Sequence, residues 1–287
     1  MDIRVFSNLL NRYLTFTTMS IGASLNTFAF YIFTRPALNK TNMGYLNRIQ
    51  LGIDIILCLS NMFIFRSNVT LNNNVYNHYD FLCKILTFYR RLILHMSAYT
   101  TSFITFDRFV CVVCPTRFLF LKSKLKIALV LCAIYLFLAI ADIENLLYYL
   151  EERVTSQNVT TSQLINNQII NFTTTQITIS RSCTGTLDVI ASSDIISAIL
   201  RTYSPMIAMT IFSFFIIRCL YQSKSRVNLK LSKKELQFTM TVIFSNVIFF
   251  VFNSPLSIAY ILNSYYAYSG IQLDRAFRNN FDFILTL

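Results

Sequence analysis

The sequence is short of the residues from which most catalytic and metal-binding sites are built. It contains two histidines, five glycines, four prolines and no tryptophan among 287 residues. It has no glycine-rich phosphate loop, no cysteine and histidine spacing typical of metal sites, and no pair of carboxylates suited to acid/base catalysis. His95 lies in the middle of an apolar segment, where a hydrogen-bonded structural role is the expectation. We therefore expect neither an enzyme nor a bound cofactor.

Charged residues are also scarce, and this argues against a water-soluble protein. They make up 13% of the chain, apolar residues make up 54%, and the mean hydropathy is +0.51. The apolar residues form separate blocks long enough, at about 1.5 Å per helical residue, to cross roughly 30 Å of hydrocarbon. This pattern predicts an all-α membrane protein, a seven-transmembrane helix bundle. Six blocks and part of a seventh cover residues 13–33, 45–65, 82–113, 127–150, 195–221, 236–262 and 273–287.

The chain shows no sign of division into domains. Glycine and proline are too rare for interdomain linkers, and no internal repeat or cleavable signal sequence is visible, so we interpret residues 1–287 as a single transmembrane domain. The seventh block has only about 15 residues before Leu287, fewer than the roughly 20 that a spanning helix requires. A terminus there would leave a carboxylate and unpaired carbonyls in hydrocarbon, at a cost of several kcal/mol per group. We expect an incomplete seventh helix and a sequence that continues further.

The net charge of +12 is distributed in a way that indicates topology. Eleven lysines and arginines lie in the first, third and fifth connections between the blocks, whereas the second, fourth and sixth together hold only Arg66, Arg153 and Arg181. The positive-inside rule then places the N-terminus outside and the odd-numbered connections in the cytoplasm. Contact with anionic lipids of the bilayer accounts for this charge, so no nucleic-acid partner is expected. The inner basic residues are Arg35, Lys40, Arg117, Lys122, Lys124, Lys126, Lys224, Arg226, Lys230, Lys233 and Lys234.

The N-glycosylation motifs fit this topology. Asn158 and Asn171, each followed two residues later by threonine, lie in the fourth connection, which is predicted to be outside. Asn68 lies just beyond the second span and close to the membrane, and Asn39 should be cytoplasmic and unmodified. A chance match explains any single motif, so the prediction of glycosylation rests mainly on the outer pair.

Two of the cysteines, Cys83 and Cys183, lie on the outer side of this topology, and the others lie within the spans or near the inner face. Cysteines in an oxidising compartment usually pair. We predict a disulfide between Cys83 and Cys183, which ties the top of the third helix to the middle of the outer loop, residues 151–194. The alternative is two free thiols.

Polar residues stand at isolated positions within the apolar blocks. Asn26 lies in the first block, and Asp54 lies 28 residues later in the second. Cys83 opens the third block, the run Asp107-Arg108-Phe109 closes it, and Pro115 follows. An Asp-Arg pair by itself is a weak signal, and its weight comes from the positions that accompany it.

The fifth and sixth blocks contain Pro205 and Pro255, and Glu235 lies 20 residues before Pro255, at the inner end of the sixth block. Together with the positions above, these residues resemble the rhodopsin-like G-protein-coupled receptors. The resemblance implies a seven-helix bundle, an extracellular ligand and a heterotrimeric G protein as partner. The chain departs from the family at Asn253, where a tryptophan is usual, and the fourth helix also lacks its usual tryptophan. Phe249 keeps the aromatic position one turn below.

Asp54 is a lone carboxylate in an apolar helix, and an ionisable group at such a depth is a functional candidate by default. The resemblance makes Asp54 a sodium ligand, with Ser97 in the third helix as a second ligand and Asn26 in the same site. The alternative is a tolerated neutral acid with no bound ion. No other metal site is expected.

The resemblance assigns the coupling and switching roles to the inner ends of the third and sixth helices. Arg108 cannot lose its charge, so it must meet Asp107, a lipid phosphate or a protein partner. Arg108 and Glu235 are expected to attract each other in the resting state, and Pro255 and Phe249 belong to the part of the sixth helix that moves. The alternative for Arg108 is a simple anchor at the membrane interface.

Arg90 and Arg91 lie about two turns inside the start of the third helix. Neighbouring helical residues point about 100° apart, so we expect only one of them to face the cavity. The resemblance selects Arg90, which stands where amine receptors carry an aspartate. Arg90, together with Arg201 in the fifth helix, then suits a ligand with carboxylate or carbonyl groups, as in peptides. The alternative is an internal ion pair with Asp142 or Glu144.

These expectations converge on a plasma-membrane receptor for an extracellular, peptide-like ligand that activates a heterotrimeric G protein. The short third inner loop and Phe277-Arg278 resemble the invertebrate FMRFamide-type neuropeptide receptors. A transporter is the alternative class, but it would need broken helices or a charge relay through the midplane. An opsin would need a lysine in the seventh helix. A non-signalling decoy receptor is expected only if the short seventh helix is genuine.

Overall fold

The computed structural model describes residues 3–39, 41–70, 79–113, 123–165, 168–225 and 233–269. These residues form six long helices and one antiparallel hairpin. In chain order they are α1 (Ile3–Phe33), a short α2 (Pro36–Asn39), α3 (Asn42–Thr70), α4 (Asp80–Val113), α5 (Lys124–Ala141), β1 (Tyr149–Ile165), β2 (Gln168–Thr184), α6 (Leu187–Ala198), α7 (Ser204–Ser225) and α8 (Lys233–Ser269). A 3₁₀ turn, Ile143–Leu147, follows α5, and a π-helical turn, Ile199–Tyr203, joins α6 to α7 in one continuous helix.

The six predicted spans correspond to α1, α3, α4, α5, the joined α6 and α7, and α8. The predicted seventh block, residues 273–287, lies outside the described residues. The fourth span was predicted to reach residue 150, but its α-helix ends at Ala141 and gives way to the 3₁₀ turn. Polar side chains explain this change, since Asn145 donates to the backbone carbonyl of Asp142 and so competes with regular helix hydrogen bonding.

The surface of the helices is largely apolar, as expected for contact with lipid. In α5 only Ile127, Leu131 and Leu138 are buried among its neighbours. Large apolar side chains on α5 and on other helices are exposed, including Leu25, Phe28, Phe63, Leu129, Leu136, Phe214 and Phe244. Within the described residues, Lys124–Leu147 and Asp188–Cys219 are also apolar enough by composition alone to cross a membrane.

The helix α4 lies at the centre of the bundle and packs against α3, α5, α7 and α8. Its inner half enters an apolar core that joins four helices, built from Leu46, Phe103, Ile104, Val110, Ile127, Leu131 and Val242. An aromatic contact continues this core toward α7, where the ring of Phe212 lies 5.2 Å from that of Phe106 and 5.3 Å from that of Phe109. Side chains that α4 directs between its neighbours are therefore held by packing on several sides.

The outer loop between α5 and α6 forms a long β-hairpin, which the sequence analysis did not predict. Its two strands pair from Tyr149 opposite Thr184 to Ile165 opposite Gln168. Cys183, near the base of β2, forms the predicted disulfide with Cys83 at the start of α4, and their Cα atoms are 5.6 Å apart. This bond fixes the base of the hairpin to the outer end of the central helix. Asn158 and Asn171 lie in the two strands, and their side chains, like that of Asn68, lie outside the described part of the structure.

Candidate functional site

Two faces of the outer half of α4 carry different chemistry. Arg90 lies seven residues before Ser97, so the two share one face of the helix, and Ser97 contacts Asp54 on α3. Arg91 and His95, four residues apart, share the neighbouring face, which contacts α6 and the segment after α5. The arginines that are adjacent in sequence are thus directed toward different neighbours.

Arg91 is held by an internal ion pair. Its Nη2 lies 2.8 Å from the Oδ1 of Asp194 on α6, and the two side chains are 19% and 9% exposed. The guanidinium also donates to the hydroxyl of Ser193 and to that of Tyr148, the latter at 3.3 Å, and lies 5.9 Å from the centre of the Tyr148 ring. The charge of Arg91 is therefore neutralised within the bundle.

His95 is buried one turn below Arg91 and is hydrogen-bonded at both ring nitrogens. Its Nδ1 lies 2.7 Å from the Oδ2 of Asp142, and its Nε2 lies 3.3 Å from the Oγ of Ser197. The side chains of His95 and Asp142 are 0% and 2% exposed. This geometry matches the structural role predicted for His95, which links α4 to the end of α5 and to α6.

The internal ion pair of Arg90 with Asp142 or Glu144, considered as the alternative from sequence, is not found among the described residues, and the ion pair at this level joins Arg91 to Asp194. Asp142 contacts His95, and Glu144 accepts a hydrogen bond from Ser192 at 3.2 Å. Asp194, the partner of Arg91, was not considered from sequence because it lies 103 residues away and on another helix. Its position at the outer end of an apolar helix is a signal that could have identified it.

Arg90 is exposed and makes no hydrogen bond or ion pair with any residue that the structure describes. Lys84, one turn after the start of α4, forms a surface ion pair with Asp80 at 2.7 Å. Arg201 lies partly buried in the π-helical turn between α6 and α7, and such turns occur frequently at functional sites. Three residues later, Ser204 accepts a hydrogen bond from the hydroxyl of Tyr99 on α4 at 3.1 Å.

Asp54 lies in a polar cluster between α3 and α4. Ser97 donates to its Oδ1 at 2.7 Å, and the Nε2 of Gln50 lies 3.0 Å from Oδ1 and 2.9 Å from Oδ2. The Nε2 of Gln50 also contacts the Oγ of Ser97 at 2.8 Å. Asn26 lies partly buried on α1. The sequence analysis missed Gln50, although a polar residue four positions before Asp54 lies on the same helix face.

The residues around Asp54 fit a small hard cation. A carboxylate and a hydroxyl supply the oxygen ligands that such ions prefer. The Oε1 of Gln50 is buried without a hydrogen-bond partner among the described residues, so this cluster has an oxygen to spare. A cation bound there would neutralise the charge of Asp54 inside the bundle.

The inner end of α4 carries Arg108 and Asp107 in contact. The Nη2 of Arg108 lies 2.6 Å from the Oδ2 of Asp107, and the two side chains are 12% and 4% exposed. The Nε of Arg108 is buried without a partner among the described residues. Glu235 lies near the inner start of α8, but its side chain lies outside the described part of the structure, so the predicted contact with Arg108 stays a prediction.

The sixth spanning helix, α8, continues as a helix through Pro255, whose ring removes one backbone hydrogen bond. Asn253, which replaces the family's usual tryptophan, donates to the carbonyl of Phe249 at 2.9 Å. Asn246, two turns farther in, contacts both α4 and α7. Asn246 and Asn253 thus both lie on the inner side of Pro255.

Comparison with known families agrees with this arrangement. The model of the family described as 7 transmembrane receptor (rhodopsin family) matches residues 26–287. No curated protein matches the chain. The match begins at Asn26 in α1 and includes all the helices that follow, as well as the predicted seventh block. The chain therefore belongs to the rhodopsin family of seven-transmembrane receptors, membrane proteins that receive an extracellular ligand and signal through G proteins.

Proposed function

We propose that this receptor binds a neuropeptide, or a similar peptide-like ligand, at the plasma membrane. The proposal rests on the exposed side chain of Arg90, which has no hydrogen bond or ion pair with the residues that the structure describes. Arg90 lies on the face of α4 that, two turns farther along, contacts α3 through Ser97. Its neighbour Arg91 is already neutralised by Asp194. A fixed positive charge without a partner among the described residues suits a carboxylate or several carbonyl groups, and peptides offer both.

Arg201 is the proposed second ligand contact. It lies in the π-helical turn between α6 and α7, three residues before Ser204, which contacts α4. Two arginines on different helices would define the orientation of an acidic peptide better than one. A protonated amine is disfavoured as the central group of the ligand, because it would lie beside the charge of Arg90.

Substitution of Arg90 tests the proposal. Arg90→Ala should weaken the potency of an activating peptide about 10- to 100-fold, because a hydrogen bond to a charged group contributes roughly 1.5 to 3 kcal/mol. The activating peptide would come from a peptide library screened for calcium or cyclic-nucleotide responses in cells that express the receptor. Arg90→Lys should retain part of the potency, because lysine keeps the positive charge but lacks the planar guanidinium that donates two parallel hydrogen bonds.

Lys84→Ala is the matched control, because Lys84 lies on the same helix and is paired at the surface. It should leave potency unchanged. Equal potencies for the wild type, Arg90→Ala and Lys84→Ala would contradict the assignment of Arg90. A library in which only amine ligands activate the receptor would contradict the peptide class itself.

Two further assignments complete the proposed mechanism. Asp54 and Ser97 hold a sodium ion, with Asn26 of α1 near the same site, and this ion stabilises the resting arrangement of α3 and α4. Arg108 forms an ion pair with Glu235 at rest and becomes available to the G protein when α8 tilts about Pro255. Both assignments treat residues 1–287 as one transmembrane domain. Glycosylation is proposed for Asn158 and Asn171 on the outer hairpin and for Asn68.

A further inference from the structure

A short chain of hydrogen bonds joins three helices in the inner half of the bundle. The hydroxyl of Thr105 on α4 donates to the Oδ1 of Asn246 on α8 at 3.2 Å. The Nδ2 of Asn246 donates in turn to the Oγ of Ser213 on α7 at 2.9 Å. Asn246 therefore uses both ends of its amide, one for each neighbouring helix.

The amide of Asn246 is a polar group in largely apolar surroundings. Asn246 interrupts an apolar stretch of α8, Thr239–Val251, and its neighbour Val242 belongs to the apolar core around α4. An amide in such surroundings lowers the free energy of the bundle only while its hydrogen bonds are made, because hydrocarbon offers no replacement partner. The contacts of Asn246 therefore favour the arrangement in which α8 lies against both α4 and α7.

Loss of the hydrogen bond to Asn246 leaves Thr105 with a second acceptor on its own helix. Its single hydroxyl hydrogen is shared between the Oδ1 of Asn246 and the backbone carbonyl of Thr101, which lies one turn earlier in α4 at 3.1 Å. If α8 moves away, Thr105 keeps this hydrogen bond, and the group that loses its partners is the amide of Asn246. The hydrogen bonds of Asn246 can thus break at a moderate cost in free energy, and that cost falls on α8, the helix that moves.

We propose that Asn246 is a positioning residue for coupling, which holds the inner half of α8 against α4 and α7 and so lowers ligand-free activity. This inference rests on signalling through a G protein and is independent of the peptide ligand and of Glu235. Asn246, which restrains α8, lies between the inner end of this helix and Pro255. Ligand binding must break both hydrogen bonds before α8 can move outward.

The first test is ligand-free nucleotide exchange on the G protein, measured as binding of a non-hydrolysable GTP analogue at matched surface expression. A hydrogen bond between transmembrane helices shifts an equilibrium about threefold on average. Thr105→Val and Ser213→Ala each remove one hydrogen bond and should each raise basal exchange about threefold. Asn246→Leu removes both and should raise it more than either, while adding Thr105→Val to Asn246→Leu should have no further effect.

Thr241→Val is the matched control on the same helix. The hydroxyl of Thr241 is exposed and donates to the carbonyl of Gln237 within α8, at 3.0 Å. Its loss removes a helix hydroxyl without changing any contact between helices, so basal exchange should stay at the wild-type level. Unchanged basal exchange in Thr105→Val, Ser213→Ala and Asn246→Leu would overturn the proposal. An equal rise in Thr241→Val would also overturn it.

A second measurement needs no G protein, so it separates this inference from the proposed function. Spin labels at Gln237 on α8 and Leu125 on α5, both exposed, would report the distance between these helices after the cysteines outside the disulfide are replaced by serine. Asn246→Leu should increase the population at longer distances. An identical distance distribution in Asn246→Leu and the wild type would overturn the inference, even if the receptor signals normally.

Discussion

The ion pair between Arg91 and Asp194 provides a stability test, because α4 also carries a second, exposed ion pair for comparison. Arg91 and Asp194 are mostly buried and join α4 to α6, whereas Lys84 and Asp80 are 38% and 51% exposed and lie one turn apart on α4. The perturbation is the replacement of one partner at a time, Arg91→Met or Asp194→Leu, followed by the double variant. Lys84→Met is the control for the exposed pair.

The expected magnitude follows from burial. Removing one partner of a buried pair leaves an uncompensated charge and costs about 3 to 5 kcal/mol. The lower end of this range applies to both single variants, because Arg91 retains Ser193 and Tyr148 as partners in the absence of Asp194, and Asp194 can take up a proton in the absence of Arg91. The exposed pair contributes roughly 0 to 1 kcal/mol, because water and salt screen it. The double variant should recover most of the loss, since no isolated charge remains and two apolar side chains fill the space.

Thermal inactivation of the detergent-solubilised receptor, followed with a dye that reacts with newly exposed thiols, is a suitable assay. Each single variant should lower the midpoint by roughly 10 °C, as about 3 kcal/mol does in a chain of this size. The double variant should lie within a few degrees of the wild type, and Lys84→Met should be indistinguishable from it. Equal midpoints for Arg91→Met and Lys84→Met would refute the reasoning, and so would a double variant that loses the sum of the two single losses.

Three further predictions concern the other contacts. Cys183→Ala should reduce surface expression and thermal stability, because closing a loop of about 100 residues contributes up to about 4.7 kcal/mol in the chain-entropy model, and less here since helices already restrain the loop. Peptide mapping of unreduced surface receptor should recover Cys83 joined to Cys183, and two free thiols would exclude the bond. Asp54→Asn should abolish any rise in thermal midpoint on replacing choline chloride by sodium chloride, and a wild-type midpoint that ignores this exchange would exclude the sodium site. Glu235→Gln should raise ligand-free nucleotide exchange several-fold, as expected for the loss of about 1 kcal/mol, and Arg108→Ala should abolish the rise; basal exchange at the wild-type level would exclude the ion pair.

Much of the fold was predictable because lipid imposes simple rules on sequence. A helix must be apolar over about 20 residues to span the bilayer, so the blocks indicated the positions of six helices without any knowledge of their packing. Helix ends were predicted less well. The end of the fourth helix depends on the side chain of Asn145, and the fifth helix begins at Leu187, eight residues before the predicted residue 195, across a stretch that contains Asp188 and Asp194.

The outer hairpin shows a second limit of the sequence analysis. Residues 151–194 were interpreted only as a loop held by a disulfide, although β-branched threonine, valine and isoleucine are frequent in the two strands. The cysteine pairing was predictable because only two cysteines lie outside. The strand pairing was not, since it depends on which residues of the two segments come opposite each other.

The sequence by itself determined the membrane location, the topology, the disulfide partners and the family landmarks on the helices, because each depends on composition, on charge or on spacing along the chain. Only the tertiary structure decided what each buried polar side chain contacts. Adjacent arginines on α4 differ by about 100° in direction, and helical periodicity cannot tell which neighbouring helix each one meets. Asp194 beside Arg91 and Asn246 between Thr105 and Ser213 are consequences of how the helices pack. Their partners lie on other helices, so the local sequence gives little indication that a contact will form.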